Sequence, residues 1–202
     1  MKILVAGSSG SIGQRYCAIL RHLGHDVLPY DTAHGNPQLP DSVDGCIVAT
    51  PTCTHSAVLL KLAQSGIKKF LCEKPVSEHT AEITFLKGQV PGIRVVCNWK
   101  YLYSMGKPGT NLISYNYYHS SSDDARWNLC QPIYMADKFV YDSSSPIWTV
   151  TVNGHLITYQ EMERSYLFMI EDWLTHPSRL WSMTDAKKMT EKAGDWNAAI
   201  TN

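Results

Sequence analysis

The sequence carries no net charge: 18 Lys+Arg are offset by 18 Asp+Glu among 202 residues. That balance removes any broad electrostatic reason to expect nucleic acid or an anionic membrane as a partner. No run approaches the ~20 apolar residues needed to span a bilayer. The first residues pass straight into a strand-like Lys2–Ala6, with no secretory h-region or cleavage site. Internal repeats and low-complexity tracts are lacking too. None of the six cysteines (Cys17, Cys46, Cys53, Cys72, Cys97 and Cys130) forms a C-x-x-C pair. Several sit inside apolar runs, so buried free thiols are expected rather than a metal site or a disulfide framework. A reducing, cytoplasmic compartment fits that usage.

What is present is a rhythm. Short apolar runs occur at Ile3–Ala6, Val27–Tyr30, Gly45–Ala49, Lys69–Cys72 and Ile93–Cys97. Helix-compatible stretches at Ser11–Leu23, Thr54–Ser65 and Ser77–Lys87 fall between most of them. Alternation of this kind predicts a parallel sheet with helices on its faces. The strands are continuously apolar, which requires both faces to be covered. The stretch 31–44, with Gly35, Pro37 and Pro40, reads as a loop. Beyond Trp99 aromatics become dense, and strand-like pieces appear at Leu112–His119, Lys138–Tyr141 and Trp148–Val152. Asn153-Gly154 between two such runs predicts a hairpin. Helices are expected at Tyr159–Thr175 and Thr184–Ala193, with a boundary near 98–108, where Gly106-Lys107-Pro108-Gly109 offers a hinge.

The first strand runs into Gly7-Ser8-Ser9-Gly10-Ser11-Ile12-Gly13, and a helix follows. Glycines suit a sharp turn that brings backbone close to a pyrophosphate, and the helix offers free N–H groups and a positive dipole end. Gly10 and Gly13 keep the spacing of the last two fingerprint glycines, while Gly7 gives G-x-x-G-x-x-G in place of G-x-G-x-x-G. A bland tight turn is the competing reading. Asp31 ends the next strand, where a carboxylate can accept from adenosine ribose hydroxyls and repel a 2′-phosphate. NAD is therefore favoured over NADP, with a turn or cap role for Asp31 as the alternative.

Two further segments follow later strands: Thr50-Pro51-Thr52-Cys53-Thr54-His55 and Glu73-Lys74-Pro75, then Asn98-Trp99-Lys100-Tyr101 after the last. With the glycine loop, in this order and spacing over residues 1 to about 104, they resemble the Gfo/Idh/MocA family of NAD(P)-dependent oxidoreductases. The resemblance implies a Rossmann-type parallel-sheet domain over residues 1–99. A small α+β domain with a mixed or antiparallel sheet would follow over 100–202, serving substrate binding and oligomerisation. It also implies roles. Lys74 would lie beside the nicotinamide and donate to, or relay the proton of, the reacting oxygen. Glu73 would hold the nicotinamide ribose, and Pro75 would fix the turn through a cis bond. Gly7, Ser9, Gly10, Ser11, Ile12, Gly13, Asp31, Thr50, Pro51, His55 and Asn98 complete the expected cofactor contacts, with His55 alternatively only capping the helix after it.

The family also commonly carries an Asp and a His one helical turn apart in its second domain, to bind substrate and shuttle the proton. The closest counterpart is Asp123–Pro132, with Asn128 and Pro132 in the Asp and His places, and neither can act as acid or base. Lys74, His119, Asp124, Asn128 and Gln131 are the substrate candidates, with Asp123 and Arg126 nearby; solvated loop residues are the competing reading for those of 119–131. The aromatics are expected in the core or at a subunit interface, and the two C-terminal helices are given no ligand role. The expected function is hydride transfer between a nicotinamide and a hydroxyl or carbonyl of a small polar substrate, a sugar or sugar derivative. The alternatives are a non-catalytic dinucleotide-binding regulatory or assembly protein, and a biliverdin-reductase-like enzyme. An exposed second sheet would favour a homodimer.

Overall fold

The computed structural model describes residues 1–31, 39, 42–102, 105–116, 127–142 and 147–196. Five short strands form the first sheet: β1 (Lys2–Ala6), β2 (Asp26–Tyr30), β3 (Gly45–Val48), β4 (Phe70–Cys72) and β5 (Ile93–Val95). All pair in parallel, in the order β2-β1-β3-β4-β5. Continuous apolarity has the expected consequence: Ile3, Val5, Ile47, Phe70 and Leu71 are all fully buried. β2 is the exception. It lies at the sheet edge, is only partly buried, and carries Pro29, whose missing N–H is tolerated there.

Helices α1 (Ser11–His22), α2 (His55–Gln64) and α3 (Thr80–Gln89) supply the crossovers after β1, β3 and β4. The chain passes from β1 through α1 to β2 on one side, and β3 then pairs on the other side of β1. That reversal opens a crevice at the C-terminal ends of β1 and β3, the place where open α/β sheets bind ligands.

A second, mixed sheet is built from β6 (Asn111–Asn116), β7 (Ala136–Asp142), β8 (Thr149–Val152) and β9 (His155–Leu156), in the order β7-β6-β8-β9. β6 and β7 are parallel; the other pairs are antiparallel. The β8–β9 hairpin turns on Asn153 (φ 52°) and Gly154 (φ 82°), the left-handed pair a two-residue turn demands. The Gly106–Gly109 segment is a tight turn rather than a loose hinge. Buried Asn111 clamps it, accepting from the Gly106 N–H at 2.7 Å and donating to the carbonyls of Lys107 (2.9 Å) and Met135 (2.7 Å).

A short helix α4 (Cys130–Met135) precedes β7, and two longer ones, α5 (Tyr159–Thr175) and α6 (Met183–Trp196), close the fold. α5 starts where Thr158 and Glu161 cap each other. The Glu161 N–H donates to the Thr158 hydroxyl at 3.1 Å, and the Glu161 carboxylate accepts from the Thr158 N–H at 2.8 Å. Its far end is fixed by Trp173, which is fully buried against Gly45; a Cβ there would stand 3.1 Å from the indole. Lys69 lies over that indole and donates to the Leu174 carbonyl at 2.9 Å, satisfying an end of the helix. Both closing helices thus pack back on the first half, α5 beside α1 and α6 beside α3. No helix among the described residues is long and apolar enough to cross a membrane.

Candidate functional site

The glycine loop is shaped by contacts that exclude side chains. A Cβ on Gly13 would lie 2.0 Å from the Gly7 carbonyl oxygen, and one on Gly7 (φ 83°) would lie 2.4 Å from the Ala49 carbonyl oxygen. The displaced first glycine therefore packs against the end of β3, and the last one sits beneath the loop. Asp31 accepts from the Ser9 N–H at 3.0 Å, so the acidic residue and the loop are joined directly. No side chain caps the N-terminus of α1, and its first turn contains no acid. Ser11 opens this helix, exposed to solvent. A negatively charged group is favoured at that end.

His55 links two other loops. Its ring is buried, with Nε2 2.8 Å from the Thr50 carbonyl and Nδ1 3.1 Å from the Pro75 carbonyl. It opens α2, but its ring spans from the β3 turn to the β4 turn, so its job here exceeds helix capping. The Lys74–Pro75 bond is cis. Glu73 is buried; one carboxylate oxygen accepts from the Tyr16 hydroxyl, and the other from the Lys74 N–H at 3.0 Å. The Lys74 ammonium donates to the Asn128 backbone carbonyl at 2.9 Å.

Three cavities follow one another along the strand ends. The first, about 600 Å³, is walled by Gly7, Ser9, Gly10, Tyr30, Asp31, Thr50 and Pro51. The second, about 290 Å³, shares Thr50 and Pro51 with it and adds Ile12, His55, Glu73, Lys74, Asn128 and Tyr166. The third, about 450 Å³, shares Lys74, Asn128 and Tyr166 with the second and adds Arg15, Asn98, Glu163 and the rings of Trp99, Tyr115, Trp148 and Tyr159. Lys74 thus stands at the junction of the last two. Asn98 is buried, with its amide nitrogen 3.4 Å from the Ser165 hydroxyl and its carbonyl oxygen without a hydrogen-bond partner among the described residues.

Other expected residues lie elsewhere. Gln131 is fully buried behind Trp99, accepting its N–H at 3.3 Å, and lines none of these cavities. The Asn128 side chain is exposed, and it is the backbone carbonyl that meets Lys74. His119, Asp123, Asp124 and Arg126 fall outside the described residues. An Asp-x-x-x-His pair does exist, at Asp172 and His176, but it lines none of the three cavities. Asp172 accepts from the Tyr101 hydroxyl at 2.8 Å and pairs with Arg179 at 3.1 Å.

Sequence reading missed two contributors. α5, given no ligand role, puts Tyr159, Met162, Glu163 and Tyr166 into the third cavity, and α1 adds Arg15. The aromatics, expected in the core or at an interface more than as a stacking platform, also include cavity walls. Arg15 pairs with Glu163 at 3.1 Å and lies 4.9 Å over the Tyr166 ring. Burial works against its charge, but Tyr166 and Glu163 outweigh that and hold its pKa up. The signal was a Met162-Tyr166-Met169 stripe, which looks the same whether it faces a core or a cavity.

The parallel sheet order and the glycine loop closing onto α1 define a Rossmann-type fold. Residues 29–90 match the Gfo/Idh/MocA family model, described as an oxidoreductase family with a NAD-binding Rossmann fold. The matched stretch contains the Thr50–His55 and Glu73–Pro75 segments and begins after the irregular glycine loop. No curated protein matches the sequence. Among solved structures, similarity extends to the WlbA (WbpB) dehydrogenase of Thermus thermophilus in complex with NAD and UDP-GlcNAcA. That likeness has a TM-score of 0.67 and 11% identity, over 100% of this chain and 95% of that one. A myo-inositol dehydrogenase of Corynebacterium glutamicum gives 0.67 and 12%, over 96% and 94%. The UDP-N-acetylglucosamine 3-dehydrogenase GnnA of Acidithiobacillus ferrooxidans gives 0.69 and 15%, over 99% and 97%. At these identities the likeness is one of fold.

Proposed function

We propose that the protein is a NAD-dependent oxidoreductase acting on a hydroxyl or carbonyl of a small polar substrate, a sugar or sugar derivative, with Lys74 as the central proton donor or relay. The observation that carries this reading is the succession of three cavities with Lys74 between the second and third. Gly7, Ser9, Gly10, Ser11, Ile12 and Gly13 would cradle the pyrophosphate, and Asp31 the adenosine ribose. Thr50, Pro51, His55, Glu73, Pro75 and Asn98 would shape the nicotinamide end. When bound, the dinucleotide supplies or accepts the hydride. Lys74 donates a charged hydrogen bond to the reacting oxygen and steadies the negative charge that builds there. The third cavity suits a ring with one apolar face, and the solved relatives named above include enzymes of inositol and of UDP-sugars.

The test is direct. NADH fluorescence should change on mixing, and NAD should be reduced with a member of a panel containing myo-inositol and UDP-N-acetylglucosamine. Failure of both NAD(H) and NADP(H) to bind overturns the reading. Dinucleotide choice has its own check. Asp31→Ser removes a charge-assisted acceptor worth roughly 1.5–3 kcal/mol. Affinity for NADH should fall about tenfold or more, and the preference over NADPH should narrow. An unchanged NADH/NADPH ratio would remove Asp31 from the ribose site.

The second sheet suggests a dimer. Leu112, Val140 and Leu156, on three of its strands, are each about half exposed. The register puts Val140 opposite Ser114 and Leu156 opposite Thr151, so these side chains share one face. Pairing two copies there would remove that apolar face from water. Sedimentation should give a dimer that Val140→Glu dissociates, and a monomeric parent would exclude it.

A further inference from the structure

Building on the oxidoreductase reading above, we propose that Tyr166 is a second catalytic residue, the acid that protonates the substrate oxygen, with Arg15 holding the phenolate it leaves. The expected Asp and His places hold Asn128 and Pro132, so a proton-handling group has to come from somewhere else. The Asp172–His176 pair is engaged away from the cavities. Tyr166 is present at the right spot: with Lys74 and Asn128 it lines both the second and third cavities. Asn128 offers an amide, which is neither acid nor base. Lys74 and Tyr166 are therefore the two proton donors common to both cavities among the described residues.

The surroundings of Tyr166 keep its proton in place until a substrate oxygen can take it. Its ring is buried, packed edge-on to Tyr16 with centroids 6.1 Å apart, and Tyr16 in turn holds Glu73. Burial and the nearby Glu73 charge hold the phenol well above its ordinary pKa, while a hydrogen bond and the charge of Arg15 oppose them. The phenol therefore meets substrate in its protonated form. Once the proton has gone, the phenolate faces a guanidinium, the partner that most favours it. Glu163, 3.1 Å from Arg15, fixes that guanidinium in place. The Lys74 ammonium is tied to the Asn128 carbonyl, which leaves it to orient the oxygen as a charged donor.

In the direction of reduction, the carbonyl carbon gains a hydride from NADH as the C=O π pair moves to oxygen. That oxygen takes the Tyr166 proton, giving an alcohol, NAD⁺ and a phenolate. Water then returns a proton to the phenolate, so one carbonyl, one NADH and one proton yield one alcohol and one NAD⁺. Oxidation is the reverse.

Two measurements test the assignment. Tyr166→Phe keeps the ring and its packing. It should leave the NADH dissociation constant within about twofold while lowering kcat with the substrate of the panel above roughly 10²–10³-fold. In the second, 3-fluorotyrosine at position 166 places a ¹⁹F label on the phenol. Its resonance should move differently with NAD⁺ and with NADH, because only the oxidised ring carries a positive charge; a tyrosine that merely fills the core would not distinguish them. Arg15→Gln should change that resonance too. Wild-type kcat in Tyr166→Phe, or identical ¹⁹F shifts with the two dinucleotides, overturns the assignment and leaves dinucleotide binding intact. Failure of both NAD(H) and NADP(H) to bind overturns the oxidoreductase reading, and this assignment falls with it.

Discussion

Lys74→Ala is expected to lower turnover about 10²–10³-fold, the usual worth of a donor aimed at the oxygen where negative charge builds, while NADH binding changes little. The reason is location. The ammonium stands where the cavity beside Glu73 meets the cavity walled by aromatic rings, pointed by its 2.9 Å bond to the Asn128 carbonyl. Most of its contact with a ligand would form at the reacting oxygen, so the loss should fall on kcat more than on KM. Lys74→Arg should not rescue it, because a planar guanidinium presents its donors in a different geometry. Stopped-flow kinetics of NADH oxidation would separate binding from chemistry. A variant that binds NADH normally and turns over within threefold of the parent would remove Lys74 from the reaction.

Gly13→Ala is expected to abolish dinucleotide binding and to destabilise the fold by about 1–3 kcal/mol, the common cost of forcing a methyl group into a filled space. The methyl would fall 2.0 Å from the Gly7 carbonyl oxygen and 2.9 Å from the Ser8 Cα, both backbone, so no rotamer change relieves it. Either the glycine loop lifts away from α1 or the first turn of the helix unwinds, and each destroys the cradle. NADH titration and thermal melting together would check this. Gly24→Ala offers a contrast: Gly24 has a φ of +78° and meets nothing within 4 Å, so it should cost stability through the backbone alone and leave binding intact. Tight NADH binding by Gly13→Ala would show that the loop does not need its observed shape.

The first half was legible because its signals are local. Each parallel strand is a short apolar run closed by glycine or a polar turn, and the strand boundaries fall within two residues of those expected. Tyr159–Thr175 agrees to the residue, since a reciprocal Thr158–Glu161 cap fixes its start. α4 was not foreseen: six residues with Pro132 inside give too little periodicity to read. The turn at Asn98–Tyr101 was too short for the same reason. Lys74 and Glu73 could be singled out by motif, but Arg15 and Tyr166 could not. One is a charged residue on an amphipathic helix, and the other belongs to an apolar stripe. Only the folded backbone brings α1 beside α5 and leaves space between them and the second sheet.

α5 spans about 25 Å at the usual rise of an α-helix. One end of it is anchored on the parallel sheet by Trp173, seated against Gly45 and Lys69; two turns nearer its start, the same rod carries Tyr166. A rigid rod passes displacement along its length, so a change of volume at the indole's seat alters where the phenol stands. Substitutions around Gly45 are therefore constrained twice, by stability and by the geometry of a distant cleft.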